Sequence, residues 1–327
     1  MQADGTELHA LIGDEAGETH AALLQRLSGE LDGYIGVEDV HPAVEAVSAM
    51  PYATQVGYFP PPVVTLFGRM ADLHGPEVCG RVNQFLVLSC LSRLPEALRG
   101  HSLPASVRAL YPETVRRILA GIASTAPHTY LQSDETFTKD LRLAAGNAFP
   151  AGASLVDMRS SLGTIVRLKR GLRRNLRMVW IAYGRLGGTY PLYRTHVSPR
   201  HLDAFSEEGR RETYLLIADA LELNPQVLGV IGMSWFYDPA LSVVSPHLSY
   251  LREIPMNHGA ILRRDGSNAT HTTRALSTSR TRRRLYDEGK YQPVAYTVIW
   301  PRRAVLRWAR LERSASGRDT CLSTSSR

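Results

Sequence analysis

The stretch from Val227 to Leu262 constrains the fold of this chain more than any other. It opens with an apolar run, Val227–Tyr237, that only glycines and Ser234 interrupt. The chain then turns, resumes as a helix near Ser245 and ends in a second apolar step, Ala260–Leu262. A strand that is apolar on both faces is typical of the centre of a sheet that helices cover on both sides. The pattern therefore predicts a strand, a helix and a strand organised around a central strand.

The two sides of residue 150 differ in pattern. Before it, apolar residues recur at helical spacing in the segments 24–31, 76–94, 113–122 and 134–145. After it, short apolar runs bounded by Gly, Pro and Ser predict strands at 153–156, 176–183, 190–197, 260–264 and 294–300. The glycine-rich turn between 176–183 and 190–197 favours an antiparallel hairpin. Helices are predicted at 198–223, 245–254, 279–288 and 302–312, and a polar loop at 265–278.

These patterns predict an α+β or α/β fold in three regions. Residues 1–150 form a mainly helical region, and residues 151–312 form a mixed α/β domain with helices on both faces of its sheet. Residues 313–327 are rich in Ser and Arg, a composition that predicts a disordered tail.

Composition and cysteine spacing predict the cellular compartment of this chain. Its longest apolar run is about half of the ~20 residues that a membrane-spanning helix needs, so no membrane span is predicted. The acidic N-terminal stretch lacks the pattern of a secretory signal. The three cysteines, Cys79, Cys90 and Cys321, have no metal-binding or redox spacing. Cys79 and Cys90 fall in an apolar helical run, which predicts buried free thiols and a cytoplasmic protein.

Charge is distributed unevenly along the chain. Residues 1–50 carry ten acids and one base, whereas residues 158–202 carry ten bases and no acid. A field of one sign attracts anions such as phosphates, nucleotides, nucleic acid or anionic lipid. In the alternative interpretation, the acidic N-terminal part packs against the basic part.

Several motifs with a defined chemistry do not occur. The sequence lacks GxxxxGK[ST], a GxGxxG after a strand, and HExxH. The stretch 232–236 has Phe236 where the second glycine of a GxSxG elbow belongs. These absences argue against nucleotide hydrolysis, nicotinamide chemistry, zinc proteolysis and α/β-hydrolase activity.

The candidate catalytic residues lie at the ends of predicted strands. Ser234, Tyr237 and Asp238 close the central strand, at the kind of position where α/β folds bind ligands. His196 closes the neighbouring strand and is the candidate general base, and Ser198 begins the helix beside it. We expect His196 and either Tyr237 or Asp238 to line one pocket. The alternative interpretation for Asp238 is a simple turn.

A metal site is a further alternative for these residues. His196 and His201 lie five residues apart across a strand-to-helix turn, and Asp203 follows. With His247 or His258 they could bind zinc or iron, because imidazole and carboxylate suit both metals. Neutral, hydrogen-bonded histidines are the competing interpretation.

The segment 279–288 predicts a basic helix with Arg280, Arg283 and Arg284 near one another at i, i+3 and i+4 spacing. Arginine binds phosphate or carboxylate through two parallel hydrogen bonds, which favours an anion site. A second basic cluster could flank it: Arg167, Lys169, Arg170, Arg173 and Arg174. The alternative is a solvated charged face.

From Tyr190 on, the order strand, long helix, strand, helix, short strand resembles the second half of the GCN5-related N-acyltransferase fold, including its acyl-homoserine-lactone-synthase-like relatives. The resemblance implies that Thr195–Pro199, with Arg200, enters a pyrophosphate-binding loop and that Val227–Tyr237 is the strand that admits the acyl donor. The Q/R-x-x-G-x-G/A signature of the family is absent from Arg200–Gly209. The resemblance covers about 75 residues.

Two functions of different class follow. One is a cytosolic, acyltransferase-like transferase that acts on a small anionic substrate, holds no tightly bound cofactor and takes its acyl group from coenzyme A or an acyl carrier. The other is a protein that binds nucleic acid or a nucleotide through its arginine clusters. An aromatic-lined cleft at Ser234–Asp238 would favour the enzyme, and a basic face with exposed aromatic residues would favour the binding protein.

Overall fold

The computed structural model describes residues 5–50, 59–162, 172–315 and 317. The chain divides into two compact units, Met1–Thr164 with His196–Ala204, and Ile165–Thr195 with Phe205–Arg327. The predicted boundary after residue 150, which rests on composition, stays a prediction. Within the described ranges, no helix is both long enough and apolar enough to cross a lipid bilayer.

The first unit is mainly helical, as predicted. Its helices are α1 (Gly5–Ile12), α2 (Asp14–Leu31), α3 (Val37–Ser48), α4 (Pro61–Leu73), α5 (Pro76–Ser92), α6 (Leu94–Arg99), α7 (Ala105–Arg108), α8 (Tyr111–Ser124) and α9 (Glu135–Ala144). Helix α5 lies at the centre of this unit, because it packs against α2, α3, α4 and α9. Its residues 82–88 are all buried, which is typical of a helix that neighbours surround on every side.

The first unit also contains a β-hairpin. Strands β1 (Ala148–Ala151) and β2 (Ser154–Ser160) pair antiparallel, with Ala151 opposite Ser154. Gly152 has φ +58° in the tight turn between them, a conformation that favours glycine. Helix α9 packs against both strands. The predicted strand at 153–156 is therefore the first part of β2.

The remaining strands are β3 (Leu192–Val197), β4 (Gly229–Ser234), β5 (Ile261–Gly266) and β6 (Ala295–Pro301). The six strands make a mixed sheet in the order β1-β2-β3-β4-β6-β5. Strand β4 runs parallel to β3 and antiparallel to β6, so the predicted central strand has a neighbour on each side. Its first four residues are buried, and its end reaches the surface at Met233. The predicted α+β architecture is confirmed.

The helices of the second unit are α10 (Leu172–Val179), α11 (Glu207–Leu223), α12 (Leu241–Val244), α13 (Tyr250–Asn257), α14 (Ala269–Ser277), α15 (Arg280–Asp287) and α16 (Arg302–Ala315). A π-helical segment, Trp180–Leu186, continues directly from α10. Helix α16 packs against α11, β4 and β6. The ring of Trp300 lies 5.0 Å from Tyr214 and 5.4 Å from Trp308, so aromatic side chains fill the core between these elements.

Several predicted elements of this region are wrong or displaced. The helix predicted at 245–254 is a 3-10 turn, Pro246–Leu248, followed by α13. The stretch 176–183 is helical and makes no hairpin with β3. The long helix begins at Glu207 behind the Ser206 cap, while Pro199–Ala204 forms 3-10 turns. The polar loop 265–278 contains α14, because the Asn268 side chain accepts a hydrogen bond from the His271 N–H and caps a helix there. Helix α16 includes the first three residues of the predicted tail, and residues 316 and 318–327 lie outside the described residues.

Candidate functional site

A buried cluster of charged side chains in the first unit contains the predicted base, His196. Its Nε2 lies 2.8 Å from Oδ2 of Asp157 on β2. Arg142 on α9 places Nη1 2.6 Å from the same oxygen. The Asp157 and Arg142 side chains are almost fully buried, whereas 12% of the His196 side chain stays exposed. The cluster thus joins β2, α9 and the end of β3 around one carboxylate.

Burial and ion pairing shift the pKa values of Asp157 and His196 in opposite directions. Burial by itself raises the pKa of Asp157, but the charge of Arg142 and the hydrogen bonds from His196 and Arg142 outweigh it and hold that pKa well below its usual value. Burial lowers the pKa of His196, and Asp157 offsets this only in part. Near neutral pH, therefore, Asp157 is ionised and His196 is neutral. Because Nε2 faces the carboxylate, it carries the proton of the neutral imidazole, and Nδ1 keeps the lone pair that can accept one.

Arg200, a predicted cofactor-binding residue, belongs to a second buried cluster of the same unit. Its Nε and Nη2 donate to the Asp140 carboxylate at 3.0 and 2.5 Å. The Tyr130 hydroxyl donates to the same carboxylate at 2.7 Å. Burial raises the pKa of Asp140, and Arg200 offsets the increase in part. A Cβ on Gly121 would overlap the Arg200 guanidinium, so helix α8 makes room for this pair.

Ser198, Arg200 and His201 line a cleft together with Lys139 and Ser154. Its volume is about 10 Å³, which is about the space that one water molecule needs. The Ser198 N–H donates to the Ala153 carbonyl at 2.9 Å, and Lys139 Nζ donates to the Val197 carbonyl at 2.6 Å. The turn after β3 is thus held by hydrogen bonds to β2 and α9.

Two of the three predicted metal ligands, Asp203 and His196, have other partners. Asp203 accepts a hydrogen bond from Arg117 Nη1 at 2.9 Å, and His196 is bound to Asp157. Among the described residues, no three His, Cys, Asp or Glu side chains come together in a way that could hold a metal ion. His196, His201 and Asp203 therefore do not form the metal site considered for them.

The candidates at the end of β4 belong to the second unit, and each accepts a hydrogen bond from another residue of that unit. The Ser234 hydroxyl accepts from the Phe236 N–H at 3.2 Å, which caps the short 3-10 turn Trp235–Tyr237. The Tyr237 hydroxyl accepts from Arg210 Nη2 at 2.9 Å. Both Asp238 oxygens accept backbone N–H groups, from Ala240 at 3.0 Å and from Val294 at 3.2 Å. Burial raises the pKa of Asp238, and these two hydrogen bonds offset the increase in part.

These contacts bear on the prediction that His196 and either Tyr237 or Asp238 line one pocket. The carboxylate that touches the His196 imidazole is Asp157, whereas Asp238 ties the turn after β4 to the residue before β6. Trp235 and Tyr237 are buried in the core of their unit, so no aromatic-lined cleft opens at them. The catalytic roles of Ser234, Tyr237 and Asp238 stay predictions.

The basic helix α15 forms as predicted, with the Ser279 hydroxyl capping it through the Arg282 N–H at 3.2 Å. Arg280, Arg283 and Arg284 are exposed. Arg282, which the sequence analysis did not select, is buried. The members of the second basic cluster, Arg167, Lys169, Arg170, Arg173 and Arg174, have side chains outside the described residues.

Arg282 has an environment unlike that of the exposed arginines of α15. Its guanidinium stacks 4.6 Å from the centre of the Trp235 ring. Nε donates to the Ala275 carbonyl at 2.6 Å, and Nη1 donates to the Ser245 hydroxyl at 2.9 Å. Arg282 therefore fastens α15 to α14 and to the turns after β4.

A larger cavity lies elsewhere in the second unit. It has a volume of about 270 Å³, close to the lower limit of small-molecule pockets. His247 and His258, the histidines considered as extra metal ligands, line it together with Glu207, Arg211, Tyr250 and Glu253. Arg211 is already paired with Glu207 and Glu312.

Fold and site together define an α+β protein whose strongest chemical feature is a buried Arg–Asp–His cluster. Comparison of the chain with protein-family models, with curated proteins and with solved structures found no match.

Proposed function

We propose that the protein is a transferase that moves an acyl group from an anionic thioester donor to a small substrate, with His196 as the general base. The observation that carries the proposal is the 2.8 Å contact between His196 Nε2 and the buried Asp157 carboxylate. A carboxylate in this position fixes the ring and its tautomer and stabilises the imidazolium that forms when the base accepts a proton.

The chemistry assigned to the imidazole is a proton transfer. Nδ1 of His196 removes a proton from the acceptor nucleophile as the nucleophile attacks the thioester carbonyl. The new acyl bond forms, the carbon–sulfur bond breaks, and the same proton passes to the leaving thiolate. Burial lowers the pKa of His196, which keeps the imidazole neutral and ready to act as a base near pH 7.

Support for an acyl-carrying donor comes from the arrangement of β3, α11 and β4. These elements follow one another as strand, helix and strand, and β3 runs parallel to β4. The resemblance to the GCN5-related N-acyltransferase fold rests on this order of elements. The proposed donor is coenzyme A or an acyl carrier, and the proposed location is the cytoplasm. The buried free thiols of Cys79 and Cys90 suit a reducing compartment.

Thiol release from acyl-coenzyme A tests the proposal, because water replaces an unknown acceptor in this assay. We expect the chain to release thiol from at least one acyl chain length. The variant His196→Ala should lower the rate by about a hundredfold, the usual scale for the loss of a general base. His128→Ala is the matched control, because His128 is an exposed histidine of the same unit.

Two outcomes would count against a transferase. One is no thiol release with any acyl-coenzyme A together with no binding in calorimetry. The other is equal activity of the His196→Ala and His128→Ala variants.

Binding of nucleic acid is the second candidate function, and the exposure of Arg280, Arg283 and Arg284 on one helix favours it. Replacing Arg283 and Arg284 with alanine should weaken binding of single-stranded DNA and reduce its salt dependence. The double variant Arg303→Ala/Arg307→Ala removes the same charge from exposed positions of α16 and serves as the control. Equal losses in the two double variants would indicate only an unspecific effect of net charge.

A further inference from the structure

Helix α10 and the π-helical segment that follows it expose an unusual number of large apolar side chains. Leu176, Val179, Trp180 and Tyr183 are between 44% and 67% exposed. They follow one another at i, i+3, i+4 and i+7, which places them on one side of the helix. These four residues are called the exposed apolar stripe below.

The same helical segment has a second apolar side that is buried. Met178, Ile181, Ala182 and Leu186 all lie in the core of their unit. The segment is therefore anchored by one side, and the exposed apolar stripe is not needed to hold it in place. A contiguous apolar surface of this kind on a folded chain is typical of an interaction site.

The charged residues within the segment 176–186 have one sign. Arg177 and Arg185 are exposed within the same segment. The Arg185 guanidinium lies 5.5 Å from the centre of the Trp180 ring, so charge and aromatic ring adjoin. In the sequence, residues 167–185 contain seven bases and no acid. The partner of the stripe must therefore accept apolar side chains and carry negative charge.

We propose that the exposed apolar stripe docks this protein on the surface of a membrane that contains anionic lipid. Helices that lie in the membrane interface combine Leu and Trp on one side with Arg or Lys beside them. Trp and Tyr rings favour the depth of the lipid headgroups, and basic residues are attracted to anionic headgroups. The proposed mode is peripheral, with the helix lying along the surface, and it stands independently of the proposed enzyme activity.

The composition of the stripe argues against two other occupants. Nucleic acid would use the aromatic rings and the arginines, but Leu176 and Val179 offer nothing to a phosphate or to the edge of a base. A second copy of the chain would bring two basic segments together, and like charges at an interface oppose association. An anionic lipid surface satisfies both the aliphatic side chains and the charge.

Flotation of the full chain with vesicles tests the proposal. We expect the chain to float with vesicles of phosphatidylcholine and phosphatidylserine, and far less with phosphatidylcholine alone. Leu176→Ala and Trp180→Ala should each reduce the partition coefficient by about tenfold, the scale of removing one large apolar side chain. Val243→Ala is the matched control, because Val243 is 82% exposed in the same unit but lies on α12. The control should float as the parent chain does.

Tryptophan fluorescence gives a second measurement that does not depend on a variant. The chain has four tryptophans, of which Trp235, Trp300 and Trp308 are buried and Trp180 is exposed. Anionic vesicles should shift the emission to shorter wavelength and protect it from acrylamide. Both effects should vanish in Trp180→Phe, although this variant still floats.

The proposal is overturned if the parent chain does not float with anionic vesicles or if its emission is unchanged by them. It is also overturned if Leu176→Ala and Trp180→Ala weaken binding of single-stranded DNA while flotation stays as in the parent chain. In that case the stripe belongs to a nucleic-acid site.

Discussion

Asp157 is the residue on which the His196 cluster depends. It is the only charged residue among the first five residues of β2, all of which are buried. An ionised carboxylate in such a place is costly unless charged or hydrogen-bonding groups surround it, and Arg142 and His196 provide both. A lone acid in an apolar strand was the signal that could have identified it.

Replacing Asp157 with asparagine should lower the free energy of unfolding by about 3–5 kcal/mol, because it removes one partner of a buried charge pair. Asp203→Asn is the matched control. Asp203 also pairs with an arginine, Arg117, but its side chain is 65% exposed, so its loss should cost far less than the loss of Asp157. Urea denaturation near neutral pH measures both. Equal losses would show that burial does not govern the strength of the Asp157 pair.

Gly121 tests the second cluster. A Cβ at this position would overlap the Arg200 guanidinium, which two hydrogen bonds hold against Asp140. Gly121→Ala should therefore destabilise the protein by about 1–3 kcal/mol. Gly68→Ala, also within a helix but with no atom within 4 Å of the new Cβ, should instead stabilise it by about 0.5–1 kcal/mol.

A double-mutant cycle separates this effect from any other defect at Gly121. In an Arg200→Ala background the overlap no longer exists, so Gly121→Ala should become as harmless as Gly68→Ala. A loss that persists in this background would place the strain elsewhere.

At the scale of elements, the sequence predicts best where one apolar pattern has one cause. Helices α5 and α8 follow from their long helical spacing, and β4 follows from an apolar run between turn residues. The stretch 176–183 has the pattern of a strand although it is helical, because the helix has two apolar sides, one buried and one exposed. Together the two sides give a continuous apolar run in the sequence, which periodicity does not distinguish from a buried strand.

The candidate site was predictable only in part, for a related reason. His196 and Arg200 were identified because they follow a strand, which is a local property. Asp157 and Asp140 contact them across 39 and 60 residues of sequence, so the packing of β2 and α9 decides the partners. In the sequence, Arg282 does not differ from its neighbours in α15. Only its contacts with Trp235 and Ser245 in the folded chain distinguish it.

Helix α15 contains a matched pair for testing that distinction. Arg282→Ala removes a stacked guanidinium with buried hydrogen bonds and should lower the free energy of unfolding by about 2–4 kcal/mol. Arg283→Ala, at an exposed position of the same helix, should change it by at most about 0.5 kcal/mol. Thermal or urea denaturation measures both variants. A large loss for Arg283→Ala would show that the exposed arginines are also structural.

At the scale of the whole molecule, several acids of the N-terminal part have basic partners in the helices that follow it. Acids of residues 1–50 pair with arginines of the following helices in the same unit: Glu7 with Arg99, Glu30 with Arg81, and Asp39 with Arg69. Exposed pairs of this kind contribute little stability. They offset the negative charge of the N-terminal part locally. These three acids therefore have basic partners outside residues 158–202.

Buried histidines give the molecule a dependence on pH. Burial is the main cause that lowers the pKa of a set of histidines from both units: His20, His101, His196, His201, His258 and His271. Each therefore takes up its proton at a higher pH in the unfolded chain than in the folded one. Where the unfolded chain binds more protons, stability rises with pH. The free energy of unfolding should accordingly fall as pH decreases below about 6.5, the ordinary pKa of histidine.

Urea denaturation at about pH 7.5 and about pH 5.5 measures this loss, on either side of that ordinary pKa. His20→Gln and His196→Gln should each reduce the difference between the two values, because each removes a group that the fold keeps neutral. The buried His20 ring has Nε2 2.9 Å from the Leu88 carbonyl, a contact that glutamine can replace with its own N–H. His247→Gln is the control, because His247 is exposed, and it should reduce the difference less than the other two variants do. If all three variants keep the full difference, groups other than the buried histidines cause the sensitivity to acid.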